Sequence, residues 1–543
     1  MDATMELITR TEDGFYRLPA FIDAHVHVES SHLTPARFGR LLAANGTLAA
    51  VCDPHEIVNV MGEAGLDFML ADAKRSPADL RFALPSCVPA TPFETSGAAL
   101  SAADTARLFA AHPELIALGE MMNVPGVLAD DPEVRSKIAA AKAAGKRIDG
   151  HCPGLRGAAL ARYAAAGISS DHEAFAADEA LEKVAKGMTV FIREGSAAKN
   201  LAALLPAVSD GNWEHFCFCT DDISAADLLS SGGIVNCIRT AVRLGMHPER
   251  AVALATVNPA RHFGLTLSGR DYVVVRDLAD FEIVRVVKDG RPLAADDGTD
   301  DAPFAANTVR LPDLSGRVFR APEPKDGRLD VIGVSDGSLV TEHLRRKPSD
   351  TDDLTLLTVI ERHGRNGNVA SAWTARTGAR RGAIATTVAH DHHNLLVLGN
   401  DADDIRTAAA HLASLGGGQC VVRDGKILAD LPLPIAGLMS ARPAADVAAD
   451  AAALNAAARQ TGCTLSDPFA TLSFLALPVI PALKLTDQGL FACPFEAHTV
   501  SSDSENALSV SYNKLFSVRG TMQNAPFVEH SVPKRSTDLQ PDA

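Results

Sequence analysis

Between residue 20 and about residue 220 the chain repeats one pattern, a short apolar run followed by a longer Ala-rich stretch. The runs are "FIDAHVHV" (21–28), "LAAVCD" (48–53), "RFALPSCV" (81–88), "LIALGEM" (115–121), "KRIDGH" (146–151), "GISSDHE" (167–173), "MTVFIRE" (188–194) and "HFCFCTD" (215–221). Stretches such as "DPEVRSKIAAAKAAG" (131–145) and "DEALEKVAKG" (178–187) predict helices between them, each closed by a glycine. Strands alternating with helices predict an α/β fold with a parallel sheet under helices, and eight strands match a (β/α)8 barrel of the TIM type. The alternative is an open doubly wound sheet, but no GxGxxG follows the first strand.

Two helical segments follow, "SAADLLSSGGIVNCIRTAVRLG" and "HPERAVALATVNPARHFG", which carries the barrel from 20 to 265. A strand-rich return with a "KDG" turn and an acidic linker occupies 266–320. Residues 321–530 alternate strand-like and helical runs with their own apolar content, which predicts a separate C-terminal α+β domain. The last stretch, 531–543, is expected to fray.

Composition narrows the chemistry. A formal charge of −16 argues against nucleic acid or an anionic membrane as partner. Nine cysteines lie scattered without a CxxC pair, which predicts reduced thiols in a cytoplasmic protein. The acidic start "MDATMELITRTEDG" lacks the order of a signal peptide. The most apolar stretch, "LSFLALPVIPAL" (472–483), is broken by Pro478 and Pro481, so no membrane span is predicted.

The polar residues at the strand ends carry the candidate chemistry. His25 and His27 stand two apart on one strand, so both can face the barrel axis, and barrel active sites lie at such C-terminal ends. Further runs end in Glu120, His151, His172 and Asp221. Each alone has an ordinary alternative: loop hydrogen bonding for the histidines, a helix start for Glu120, a cap near Ser224 for Asp221. Together they would crowd imidazoles and carboxylates into one mouth at a cost of roughly several kcal/mol each unless metal resolves it. Four histidines and two carboxylates exceed one tetrahedral zinc and suit two divalent ions with a bridging carboxylate. The nitrogen and oxygen donors fit iron, manganese or zinc.

At this point the chain resembles the adenine deaminase family of the amidohydrolase superfamily. The likeness runs through "PAFIDAHVHVESSHLTP", "CDPHEIVNVMGEAGL", "LGEMMNVPGV", "DGHCPGLRGAALARYAAAGISSDHE", "FIREGSAAKNL", "CTDDISAADLL" and "ATVNPARHFGL". In the C-terminal part it continues through "VAHDHHNLLVLG" and "TLSFLALPVIPALKLTD". The resemblance implies hydrolysis of adenine to hypoxanthine and ammonia with two divalent ions, manganese or iron first and zinc as a third option, in a homodimer. It implies that His25 and His27 hold one ion, His151 and His172 the other, and that Glu120 bridges them. Asp221 is then a ligand and proton shuttle, with Asp222 the alternative holder of that role. His55, Glu56, Arg193, Glu194 and Ser196, at further strand ends, become candidate purine contacts, each with a structural role as the alternative.

The likeness has gaps. Relatives carry several dozen residues of a small β-sandwich before the first barrel strand; here residues 1–19 leave only a remnant. "PAF" replaces Pro-Gly-Phe, and Gly233 stands where the family has histidine, a change that bears on substrate choice. For "HDHH" (390–393) a polar turn is the favoured expectation, with a pocket or dimer contact as the alternative. Two other functions stand beside adenine deamination: an amidohydrolase acting on another aminopurine or cyclic amide, and a non-catalytic purine-binding paralogue. "HVE" (27–29) satisfies the H-x-E of cytidine-type deaminases, but the PCxxC they need is absent.

Overall fold

The first strand, Phe21–Val26 (β1), is buried along its whole length, as a strand covered on both faces must be. It pairs in parallel with Thr47–Cys52 (β2), which pairs with Asp79–Phe82 (β3). Ala117–Met121 (β4) pairs with Arg147–Gly150 (β5), and Ser170–Asp171 (β6), Thr189–Arg193 (β7) and Phe216–Cys219 (β8) form a third parallel sheet. This computed structural model describes residues 7–196, 198–293, 307–324 and 326–492. The expected stretch 531–543 and residues 493–530 lie outside them.

Six of the eight strands fall inside the predicted runs; Thr47–Cys52 begins one residue before its run, Asp79–Phe82 overlaps its run only at Arg81 and Phe82, and helices such as Pro132–Ala143 and Ala177–Ala185 separate the strands as expected. Pro132–Ala143 begins where it does because the Asp131 carboxylate accepts the Glu133 and Val134 amides. The regular ladders stop between the three sheets, and isolated hydrogen bonds join their edges. The Leu84 amide donates to the Ala117 carbonyl at 2.8 Å, Ser169 to Ile148 at 2.9 Å and Asp221 to His25 at 2.9 Å.

A reason for the interruptions lies in side chains that replace ladder carbonyls. Asp23 accepts the amides of His25 at 3.3 Å and Thr220 at 3.1 Å, and Asp53 accepts the Glu120 amide at 2.9 Å. The register shifts between Asp23 and Val26 and between Leu118 and Met121, where these bonds fall. Backbone donors there are satisfied by carboxylates, so the pairing bends at the strands that carry His25 and Glu120.

The N-terminal remnant and the returning segment form one antiparallel sheet. Its order is Thr9–Arg10, Tyr16–Pro19, Tyr272–Val275, Ile283–Lys288, Arg291–Pro292. Asp289 and Gly290, with φ of 53° and 77°, make the predicted "KDG" turn.

The C-terminal part is a separate eight-stranded sheet, antiparallel except where Leu329–Gly333 pairs with Val369–Ala375. Helix Ala402–Leu415 covers one face through Ile405, Ala408, Ala409 and Leu412. The N-terminal and C-terminal parts share one apolar cluster, which includes Phe38 and Leu42 on one side and Leu454 and Leu475 on the other. All described residues belong to one compact unit. The eight described cysteines are buried and unpaired, and among the described residues no helix is long and apolar enough to cross a membrane.

Candidate metal centre

The C-terminal ends of the strands bring all six expected ligands together. Ligand atoms of His25, His27 and Glu120, of His25, His172 and Asp221, and of Glu120, His151 and His172 lie within 4.8 Å of one another in each group. Glu120 stands in the middle and is used from both sides. Its Oε1 is 3.3 Å from His27 Nε2, and its Oε2 is 2.7 Å from His151 Nδ1 and 3.2 Å from His172 Nε2. Asp221 Oδ1 lies 3.1 Å from His27 Nε2 and 3.5 Å from His25 Nε2. Asp222 joins only the group of His27 and Asp221 among those named here, and its Oδ1 accepts the Ser30 hydroxyl at 2.5 Å.

The donors fit a cation. His27 Nδ1 bonds the Asp53 carbonyl at 2.9 Å, so that nitrogen carries the hydrogen and Nε2 keeps its lone pair for the cluster. His25 Nε2 faces it at 3.2 Å. Two imidazole nitrogens and two carboxylates on one buried spot repel unless protons or metal ions intervene. Burial works against the charge of Glu120, but His151 and then His172 hold its carboxyl well below the usual carboxylate range. Burial likewise opposes the charge of Asp221, and the Arg193 guanidinium outweighs it. Burial and the neighbouring His172 lower His25 to about 4, which leaves its ring neutral and able to ligate.

Around the cluster, the candidate purine contacts separate into two sets. Arg193 Nη1 donates to Asp221 Oδ2 at 2.6 Å and also to Glu173, tying the eighth strand to the sixth. His55 Nδ1 is buried without a hydrogen-bond partner, 3.5 Å from both Asp53 Oδ1 and Glu120 Oε1. Glu56 follows on the same helix start, wholly buried. Ser196 and Glu194 are not brought into the cluster. The Ser196 hydroxyl accepts the Ser224 amide at 2.8 Å and bonds Asp227, bracing the start of helix Ala225–Ser231. That helix is capped by Ser224, not by Asp221. Glu194 is half-buried with Lys199 as its charged neighbour. Gly233 has φ of 65°, and a Cβ there would meet Leu228 at 3.0 Å, an apolar contact away from the ligands.

Three further groups enter; the sequence marked neither Asp53 nor Glu173, and for "HDHH" it favoured a polar turn over a pocket contact. Asp53 sets both His27 and Glu120, Glu173 pairs with Arg193, and "HDHH" reaches the site from the C-terminal sheet. The turn expected at 390–393 is present, but it is buried and its His390 and His393 both bond Glu56. Direct sequence adjacency to His172 was the one signal that pointed to Glu173.

Residues 16–293 match the amidohydrolase family, and residues 334–495 match the adenine deaminase C-terminal domain. The chain is 48% identical over 506 residues to the adenine deaminase of Nitratidesulfovibrio vulgaris strain Hildenborough, covering 89% of this chain and 88% of that protein. The chain belongs to the adenine deaminase family. The adenine deaminase of Brucella anthropi is 44% identical over 492 residues, covering 87% of each chain. Among solved structures, the N-acetyl-D-glucosamine-6-phosphate deacetylase of Mycobacterium smegmatis aligns at 19% identity and a TM-score of 0.40, covering 51% of this chain and 86% of that one. Amidohydrolases are metal-dependent, and the adenine deaminase fold carries here a set of His, Asp and Glu clusters that can bind metal.

Proposed function

We propose that this chain hydrolyses adenine to hypoxanthine and ammonia at a binuclear metal centre in the mouth of a (β/α)8 barrel. The observation that carries the reading is the two-sided use of Glu120, whose oxygens face His27 on one side and His151 with His172 on the other. In this reading His25, His27 and Asp221 hold one ion, His151 and His172 the other, and Glu120 spans both. The hydrogen bonds from β3 to β4, β5 to β6 and β8 to β1 support an eight-strand ring. The 48% identity to an adenine deaminase over most of both chains supports the substrate.

Two divalent ions bound here would supply an activated water and polarise the carbon that bears the amino group. The chain's own residues then manage protons and orientation. Asp221 is kept ionised by Arg193, so it can take a proton from the attacking water and return one to the departing nitrogen. A carbon–oxygen bond forms at C6, the carbon–nitrogen bond breaks, and ammonia leaves. Arg193 and Glu173 fix the angle of Asp221, and His151, the most open ligand at 21% side-chain exposure, marks the entry side. His55 and Arg193 are the purine-facing residues in this reading, whereas Glu56 holds His390 and His393 and Ser196 and Glu194 brace the loop.

The test is to load the protein with manganese, iron or zinc in turn, count metals per chain and assay ammonia release from adenine. Close to two metals per chain with turnover is the expected result. Glu120→Gln should lose metal and at least about a hundredfold in kcat while keeping its fold. Full activity with one metal per chain, or no ammonia from adenine with any of the three metals, would overturn the reading.

A further inference from the structure

The segment "HDHH" stands 334 residues from Glu56 in sequence, yet closes on it. Glu56 Oε1 bonds His390 Nδ1 and its Oε2 bonds His393 Nε2. The two histidines then differ in what remains free. His393 also accepts the Ala389 amide on Nδ1 at 3.0 Å, so both its ring nitrogens are used. His390 keeps Nε2 without a hydrogen-bond partner among the described residues, and its side chain is still 12% exposed. Its ring lies flat on Phe474, with centroids 4.4 Å apart and an interplanar angle of 13°.

This arrangement is rigid and aimed. A carboxylate holds one nitrogen, an aromatic ring holds the face, and the other nitrogen is left without a hydrogen-bond partner among the described residues. The site lies close to the proposed centre. His55 Nε2 is 3.6 Å from Glu56 Oε1, and His55 Nδ1 is 3.5 Å from Glu120 Oε1. Asp222, at the end of β8, is a charged neighbour of His390. Beside His390, Asp391 has a buried Oδ2 without a partner and an Oδ1 that lies 3.7 Å from His55 Nε2. The C-terminal sheet thus places one open polar atom and one unsatisfied one against the barrel mouth.

We propose that the C-terminal domain supplies a substrate contact to the catalytic pocket, with His390, fixed by Glu56 and Phe474, offering Nε2 to a ring nitrogen of the purine. The inference rests on the reading of adenine as substrate. Burial opposes a charge on His390, but Glu56 outweighs it and lifts the ring to about 9, so Nε2 carries a hydrogen and acts as donor. Adenine N1, N3 and N7 are acceptors, N3 and N7 remain acceptors in hypoxanthine, and an imidazolium donor held in place by a carboxylate suits N3 or N7 in both.

The experiment compares wild type, His390→Ala and His390→Gln, each loaded with metal, by adenine kinetics and by calorimetric binding of hypoxanthine. The expected result is unchanged metal content with KM for adenine and Kd for hypoxanthine raised about tenfold or more, the loss of one charge-assisted hydrogen bond. A second measurement needs no variant: histidine Cε1 hydrogen–deuterium exchange, which proceeds through the imidazolium, should label His390 in the wild-type enzyme, and saturating hypoxanthine should slow it, read by peptide mass spectrometry. Unchanged Kd in both variants, or equal labelling of His390 with and without hypoxanthine, overturns the proposal. A wild-type enzyme that releases ammonia from adenine while failing these tests refutes the role of His390 alone; one that releases none refutes the substrate reading and this inference with it.

Discussion

Arg193 is a single side chain that answers to two buried carboxylates, Glu173 and Asp221, from the last position of β7. Replacing it with glutamine would leave both acids facing one another in a low-dielectric mouth. Arg193→Gln should lose about 3 kcal/mol of stability and on the order of a hundredfold in kcat, with metal content nearly kept because five other ligands remain. Arg193→Lys should recover little of kcat, since a point charge does not match the forked contact. Denaturant unfolding, metal analysis and turnover check this together; wild-type kcat in Arg193→Lys would refute it. The residues around Arg193 also mark what a sequence can reveal. His25, Glu120, His151, His172 and Asp221 were legible because each is a polar residue closing an apolar run. Asp53 was not, because "DPHE" looks like an ordinary helix start, and its work on the Glu120 amide crosses 67 residues of sequence. Glu173 was masked by the stronger signal of His172 before it.

Helix Val257–Phe263 shows how a packed element sets acid tolerance. Its His262 lies edge-on to Phe191 of β7, bonds the Thr189 hydroxyl at 3.0 Å, and leaves Nε2 buried without a hydrogen-bond partner among the described residues, 4.0 Å from Asp149 Oδ1. Burial, and then the Arg147 charge, lower this imidazole from 6.5 to about 3. The folded state therefore keeps the ring neutral while the unfolded chain takes up a proton below pH 6.5. The stability it contributes is complete above that pH and is lost as pH falls towards 3, by about 1.4 kcal/mol per unit. His262→Gln should retain the Thr189 contact and flatten that acid limb. A difference in unfolding free energy between wild type and variant that stays constant from pH 6.5 to about pH 4 would refute it. At this scale the sequence was most informative, because period and glycine punctuation report burial and helix ends directly. It missed that β6 is only Ser170–Asp171 and that the ladders break at the ligand-bearing strands. Those features depend on Asp23 and Asp53 reaching across the fold, which leaves no local periodic trace.

At the scale of the whole molecule, the C-terminal sheet is bound to the N-terminal α/β part by polar pairs as well as by apolar packing. Ser440 exchanges backbone bonds with His32 at 2.8 Å and Thr34 at 3.3 Å, and Asp487 accepts the Thr95 amide at 2.8 Å and its hydroxyl at 2.7 Å. Asn368 adds a bond to Asp487 at 3.1 Å, so one carboxylate fastens a C-terminal loop and the loop after β3 together. The expected boundary near residue 321 is a change in composition and topology, yet it is no break in the core, since one apolar cluster spans both sides. Sequence periodicity cannot reveal such a contact, because its partners lie 392 residues apart. With the polar clamp and the shared core both in place, the two parts should unfold together. Asp487→Ala removes the acceptor of three hydrogen bonds and leaves the half-buried Thr95 donors unmatched, so it should lower the unfolding free energy by about 1–2 kcal/mol. The wild type should give one transition whether followed by intrinsic fluorescence or by circular dichroism. Two separated transitions in the wild type would mean that the interface contributes little and that each part holds its own core, in which case Asp487→Ala should shift neither.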